Sequence, residues 1–274
     1  MAKKYSSKKD SKLLTETLSS KRSTSAKGFK TSDSASSFQS RFAERKEAAI
    51  PFKILESLMN KGKRSICRVL IKNKIQGSAG LIVAQHNNRL YYMLITCNHV
   101  LPFTARFDLC QVEMHFQGLE KAELHNKLLR EEWIQFSWTS IFYDATVIEL
   151  TEETVEFLRD NGADFLVASS KEVKREEKIG LVQYPATREY PEGELSFSNG
   201  EVYDIQDINL YYWVEGAEGS SGSPVLSYDG SALAVHNRQI LRGPNNFGSK
   251  ETRGGALLTE ILHKYFKDKD FFSR

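Results

Sequence analysis

The chain is poor in cysteine, and the cysteines it has do not suit a covalent framework. Cys67, Cys97 and Cys110 are the three in 274 residues. That odd and sparse set excludes a disulfide-stapled design and reads as buried or half-buried thiols in a reducing compartment. Long apolar runs are missing too. No uninterrupted hydrophobic stretch approaches the roughly 18 residues of a membrane helix, so no membrane partner is expected. The opening MAKKYSSKKDSK has charge without the apolar core of a secretory signal. The expectation is an intracellular protein, cytoplasmic or nuclear. Self-similarity at the roughly 20- to 50-residue periods of repeat proteins is also absent.

Residues 1–48 are rich in Ser, Thr and Lys and show no helical or strand periodicity. Such a segment buries too little apolar surface to offset its ordering entropy, so a disordered tail is expected. Residues 1–50 carry twelve Lys/Arg against five Asp/Glu, so the formal charge of +3 belongs to the tail and the body is mildly acidic. The Lys3-Lys4 and Lys8-Lys9 pairs suit a solvated linker, nuclear import or contact with nucleic-acid phosphates. Residues 49–274 form the folded domain, with its boundary set by the change of texture.

From about residue 62 the sequence breaks into short apolar runs separated by turn signals. Ser65–Ile71, Ser78–Ala84, Leu90–Thr96, Ala145–Leu150, Gly180–Gln183, Leu210–Val214, Pro224–Ser227 and Ala232–Val235 each read as a strand. His86-Asn87-Asn88-Arg89 and Tyr228-Asp229-Gly230 read as hairpin turns. The fold class is therefore all-β, a barrel or sandwich. Two helices are expected: a short one over Glu152–Arg159 capped by Thr151, and a last one over Leu258–Lys267. The last has Leu258, Ile261, Leu262, Tyr265 and Phe266 on one apolar face. Residues 118–132 have a weaker helical pattern.

Three segments carry chemistry. Gly219-Ser220-Ser221-Gly222-Ser223-Pro224-Val225 can present the Ser221 hydroxyl on a sharp turn, with backbone N–H groups beside it and a buried strand after it. The proline and strand that follow oppose the α/β-hydrolase elbow, which requires a helix there. Leu94–Leu101 delivers His99 at the end of an apolar strand, and an imidazole titrates in the range that general-base work needs. Tyr143–Leu150 brings Asp144 to the start of a strongly apolar strand, where a carboxylate needs a partner. Each has an ordinary reading alone: a Ser/Gly turn, a structural histidine, a strand-end aspartate. Taken together, they stand in the order His, Asp, Ser, which differs from the subtilisin and α/β-hydrolase orders.

These motifs resemble those of trypsin-like serine proteases. TCNHV stands where T-A-x-H is usual, YDATVIEL where D-I-A-L-L is usual, and GSSGSPV where G-D-S-G-G-P is usual. GSAGLIV at 77–83 resembles the strand before the catalytic histidine, and IGLVQYP at 179–185 resembles a second-barrel strand of HtrA-like members. The resemblance spans about residues 62–266 and implies two six-stranded antiparallel barrels with the active site between them. It implies Ser221 as nucleophile, His99 as base, Asp144 as orienting acid, and Gly219 and Ser221 N–H groups as oxyanion hole. No metal or cofactor is implied, and the substrate is a protein or peptide. Glu215 and Gly216 would form one wall of the substrate pocket, with Val235, His236, Asn237 and Gly255 in the others. Glu215 could pair there with a basic side chain, and His236 suits a rim or structural role. Ser220 departs from the family's aspartate, which implies activation without a newly cut N-terminal amine. The rival reading is a catalytically silent protease fold serving as scaffold or peptide-binding module. Oligomeric state is left open.

Overall fold

The computed structural model describes residues 50–72, 74–102, 112–117, 127–185, 194–240 and 252–272. The expectations for the 1–48 tail and for Cys110 lie outside them. Two sheets account for most of the rest. The first contains β1 (Ile66–Ile71), β2 (Lys74–His86), β3 (Arg89–Thr96), β4 (Val112–His115), β5 (Lys127–Leu128), β6 (Ile134–Ser140) and β7 (Ala145–Leu150), in the order β5-β4-β1-β2-β3-β7-β6. A short β8 (Leu166–Val167) runs parallel to β2. The second contains β9 (Lys178–Gln183), β10 (Ser196–Gln206), β11 (Asn209–Trp213), β12 (Pro224–Ser227), β13 (Ala232–Ile240) and β14 (Thr252–Leu257). It closes on itself as β10-β11-β14-β13-β12-β9. The all-β expectation holds. The second half is the six-stranded barrel; the first is an eight-stranded sheet that curls without a closing ladder among the described residues.

Local chemistry explains the connections. Asn87 and Asn88 both adopt positive φ, 48° and 60°, between β2 and β3. That is the two-residue turn whose twist matches paired strands, and asparagine tolerates the left-handed region better than most residues. Helix α1 is Phe52–Ser65, α2 is Glu152–Asp160 and α3 is Leu258–Phe272. Thr151 caps α2 by accepting from Thr154 N–H, with Glu152 and Glu153 in the first turn. Helix α3 begins where expected and runs further. Of residues 118–132, the described part is β5 and a 3-10 turn at Glu131–Trp133, so the weak helical pattern does not hold there. Residues 118–126 lie outside the described residues.

Helix α1 has no counterpart in the sequence reading. It starts after Pro51 without a side-chain cap, and Gly62 interrupts its pattern. The glycine has a packing reason, because a Cβ there would lie 2.6 Å from Val182 Cγ2 of β9. Leu58 and Gly62 thus bring the helix directly onto the barrel.

The core divides by strand face. Ile179, Leu181, Val225, Leu233 and Ala234 point into the barrel with Leu210 and Tyr212. Their neighbours Val182, Tyr184, Leu226, Ala232 and Val235 point the other way, into a core shared with the first sheet, α1 and α3. Period-two alternation, interrupted in β13 by a bulge at Leu233, makes β9, β12 and β13 buried on both faces. These strands are the wall between the halves.

Leu58 is fully buried in that shared core. Its replacement by alanine removes side-chain volume that the surrounding strands cannot recover. Leu58→Ala should lower the unfolding free energy by about 2–5 kcal/mol in urea denaturation.

Candidate active site

Strand β3 ends at Thr96, and a tight turn follows in which Val100 and Leu101 N–H both donate to Cys97 C=O. The buried Val100 and Leu101 side chains pin this turn and leave His99 half exposed between them and solvent. Asp144 closes the β6–β7 turn, with its N–H donating to Ile141 C=O and φ of 47°. Aspartate is one of the few residues that adopts this left-handed conformation without much penalty. The two turns meet. His99 N–H donates to Asp144 Oδ1 at 3.0 Å, and His99 Nδ1 lies 2.7 Å from Asp144 Oδ2. Thr139 donates to Asn98 Oδ1 at 2.6 Å and Thr146 donates to Leu101 C=O at 2.7 Å, fixing one turn against the other.

Ser221 lies on the loop entering β12. Buried Ser220 shapes it: its Oγ accepts from Ala217 N–H at 3.1 Å, and its own N–H donates to Ala217 C=O. A serine therefore closes the turn where the family pattern has an aspartate. Ser78, near the middle of β2, holds the loop from the other half. Its N–H donates to Ser221 C=O at 2.7 Å and its Oγ–H to Gly219 C=O at 3.0 Å. Ser78 C=O in turn accepts from Thr96 Oγ1 at 2.6 Å, at the end of the strand that delivers His99. Gly222 takes φ of 90°, and a Cβ there would lie 1.9 Å from Ser78 C=O. Only glycine admits this approach.

Among the described residues, neither Gly219 N–H nor Ser221 N–H donates a hydrogen bond.

The residues assigned to the pocket fall as follows. Val235, His236 and Asn237 are buried in β13, and Gly255 of β14 pairs with His236 across the ladder. His236 is tied to the serine loop: its C=O accepts from Gly222 N–H at 2.7 Å and its N–H donates to Ser223 C=O at 2.9 Å. Gly216 is half-buried, whereas Glu215 is exposed and its carbonyl accepts from Gln183 Nε2 at 3.0 Å. Arg253 donates to Gly216 C=O. The sequence reading passed over Ser78, Thr96, Gln183, Tyr212 and Arg253 as site residues. A polar Gln183 at the end of an otherwise apolar strand was the available signal.

Burial first, then the charges of Arg253 and His99, push the His236 imidazole down to about 3 from its ordinary 6.5. The ring is neutral through the physiological range. Cys97 Sγ lies within 4.8 Å of donor atoms of His99 and Asp144, close enough for a shared metal ion. The thiol is fully buried, however, and donates to His236 C=O at 3.1 Å. Burial, reinforced by the Asp144 charge, drives its pKa well upward, so it remains a thiol and a poor metal ligand.

The family model described as trypsin-like peptidase domain matches residues 77–235, which include His99, Asp144 and Ser221. The Rv3671c protease of M. tuberculosis H37Rv is similar in structure. In the inactive form of a serine-to-alanine mutant the TM-score is 0.54 at 13% identity, covering 80% of this chain and 94% of that one. In its active form the TM-score is 0.52 at 13% identity, covering 78% and 85%. At this identity the likeness is one of fold. No curated protein matches the chain in sequence.

A neutral buried imidazole makes stability depend on pH. Between about 3 and 6.5 the unfolded chain protonates His236 while the folded chain does not. The stabilisation is complete above 6.5 and is lost as pH falls toward 3, by at most about 1.4 kcal/mol per unit from this residue. Urea denaturation across that window should give a steeper loss for the native sequence than for His236→Phe. Equal slopes would mean that the ring takes up its proton while folded.

Proposed function

The chain belongs to the trypsin-like peptidase family, and from that premise we propose that it is a serine endopeptidase working through Ser221, His99 and Asp144. The observation that carries this reading is the two-point hold of Asp144 on His99, through the backbone N–H and through Nδ1. An imidazole fixed at Nδ1 by a carboxylate keeps Nε2 as the basic atom, which is the tautomer that general-base catalysis of serine attack requires.

In the proposed reaction, Ser221 Oγ attacks the scissile carbonyl carbon as His99 Nε2 takes the hydroxyl proton. The carbonyl oxygen becomes an oxyanion bound by Gly219 and Ser221 N–H groups, which internal hydrogen bonds leave unspent. Collapse breaks the C–N bond, and His99 passes its proton to the departing amine. Water then attacks the acyl ester with His99 again as base, releasing the carboxylic acid and restoring the Ser221 hydroxyl. Asp144 stays ionised throughout and stabilises the imidazolium. Because Ser220 closes the loop with its own hydroxyl, the site needs no newly formed terminal amine to shape it.

Residues 49–274 form the peptidase unit in this reading. Free, buried Cys67 and Cys97 suit an intracellular setting, and no helix among the described residues is long and apolar enough to cross a membrane.

A fluorophosphonate probe should label the purified protein, and Ser221→Ala should abolish both labelling and peptide cleavage. Asp144→Asn should keep the fold but lower kcat by roughly 10⁴-fold, because the imidazole then adopts the wrong tautomer. Full activity in Asp144→Asn would remove the aspartate from the mechanism.

A further inference from the structure

Beside the serine loop, polar groups from three strands converge on one point. A Cβ built on Gly216 would lie 3.5 Å from Gln183 Oε1, 3.6 Å from His236 Nε2 and 3.7 Å from Arg253 Nε. The parent side chains belong to β9, β13 and β14, and all are buried. A cluster of this polarity is costly to desolvate unless its donors and acceptors are matched.

Hydrogen bonds fix the orientation of Gln183. Gln183 Nε2 donates to Ser198 Oγ at 2.9 Å and to Glu215 C=O at 3.0 Å, so its amide nitrogen faces away from the cluster and Oε1 is the atom presented. That oxygen is buried and has no hydrogen-bond partner among the described residues. Tyr212 Oη lies 2.6 Å from His236 Nδ1. The same hydroxyl lies 3.3 Å from Gly254 C=O; with its hydrogen given to the nearer His236 Nδ1, the neutral ring carries its own hydrogen on Nε2. Arg253, held on Gly216 C=O, contributes a permanent guanidinium. The site therefore offers donors on two sides and one unsatisfied acceptor on the third. His236 is joined through its backbone to Gly222 and Ser223, one and two residues beyond the nucleophile, so this point lies where the side chain preceding the scissile bond would enter.

We propose that this cluster is the specificity site for a carboxamide side chain, and that the enzyme cleaves after glutamine. The inference rests on the peptidase reading above. A carboxamide oxygen accepts from His236 Nε2–H and the Arg253 guanidinium, while its NH₂ group donates to Gln183 Oε1. A carboxylate would set a lone pair against Gln183 Oε1, and an aliphatic or aromatic side chain would leave that oxygen unmatched. A lysine or arginine would bring a second cation to Arg253. The exposed Glu215 lies outside this cluster as a side chain and contributes its carbonyl to holding Gln183.

The test uses full-length protein and internally quenched peptides differing only in the residue before the cleaved bond: Gln, Glu, Lys or Phe. The expected result is kcat/KM for Gln about tenfold or more above each of the others, since a site built to hydrogen-bond one group rejects analogues that leave its polar atoms unpaired. Gln183→Met should bring the Gln-to-Glu ratio close to one, and His236→Gln should lower cleavage after Gln more than after Phe. Thermal melts establish that each variant is folded. In parallel, Ser221→Ala is titrated calorimetrically with peptides ending in Gln, Glu or Lys, which reads the subsite without catalysis. Preference for Glu, Lys or Phe, or no preference, overturns the carboxamide site while the peptidase reading stands. Gln-selective binding without any cleavage by the native protein supports the site and overturns the peptidase reading. Neither cleavage nor selective binding overturns both.

Discussion

One residue, Ser78, holds the serine loop in register with the strand that carries His99. Its three polar atoms bond to three different partners: N–H to Ser221 C=O, Oγ–H to Gly219 C=O, and C=O from Thr96 Oγ1. The serine loop belongs to the barrel, whereas Thr96 ends the strand that carries His99. If Ser221 and His99 act together as proposed, their separate sheets need such a link, because an error of about 1 Å in their relation is expensive in rate. The link is buried, where hydrogen bonds are strongest and where leaving one unmade is most costly. Gly222 is glycine because the loop must come within contact of Ser78 C=O to make these bonds.

The hydrophobic design serves the same seam. Strands β9, β12 and β13 send alternate side chains into the barrel and into the core shared with the first sheet. They behave as an internal partition rather than as barrel wall with one wet face. The same strands carry Gln183, Pro224 and His236, so site residues inherit the rigidity of backbone packed on both sides. His236 shows the cost and use of this placement. Burial keeps its ring neutral and fixed by Tyr212, while its backbone secures the serine loop.

The C-terminal helix closes the first half from outside. It follows β14 of the barrel yet brings Tyr265 and Lys269 to the buried Glu149 carboxylate of β7. Burial, with Glu149 beside it, pushes the Tyr265 phenol upward, so the hydroxyl stays a donor. Trp138 donates to Asp268 at 2.9 Å and His86 stacks on Phe266 at 4.1 Å, adding a second and third attachment. A buried carboxylate with two donors is tolerable; without them it would not be.

The sequence by itself determined the strands with clear alternation, the Asn-Asn turn, the capped α2, the apolar face of α3, and the motif order that brings His99, Asp144 and Ser221 into view. Those features are local: a period, a cap, a turn residue or a glycine beside a serine. Tertiary structure alone decided the rest. Helix α1 was illegible because Gly62 reads as an interruption until the close approach of Val182 gives it a purpose. The open edge of the first sheet depends on pairings between strands tens of residues apart, and the role of Ser78 on contacts across more than a hundred, which no local pattern encodes. Gln183, His236 and Arg253 lie far apart in the chain and meet because β9, β13 and β14 are strands of one closed barrel. Chain-local chemistry named the candidates for catalysis, and only the barrel's closure could bring together the polar groups beside them.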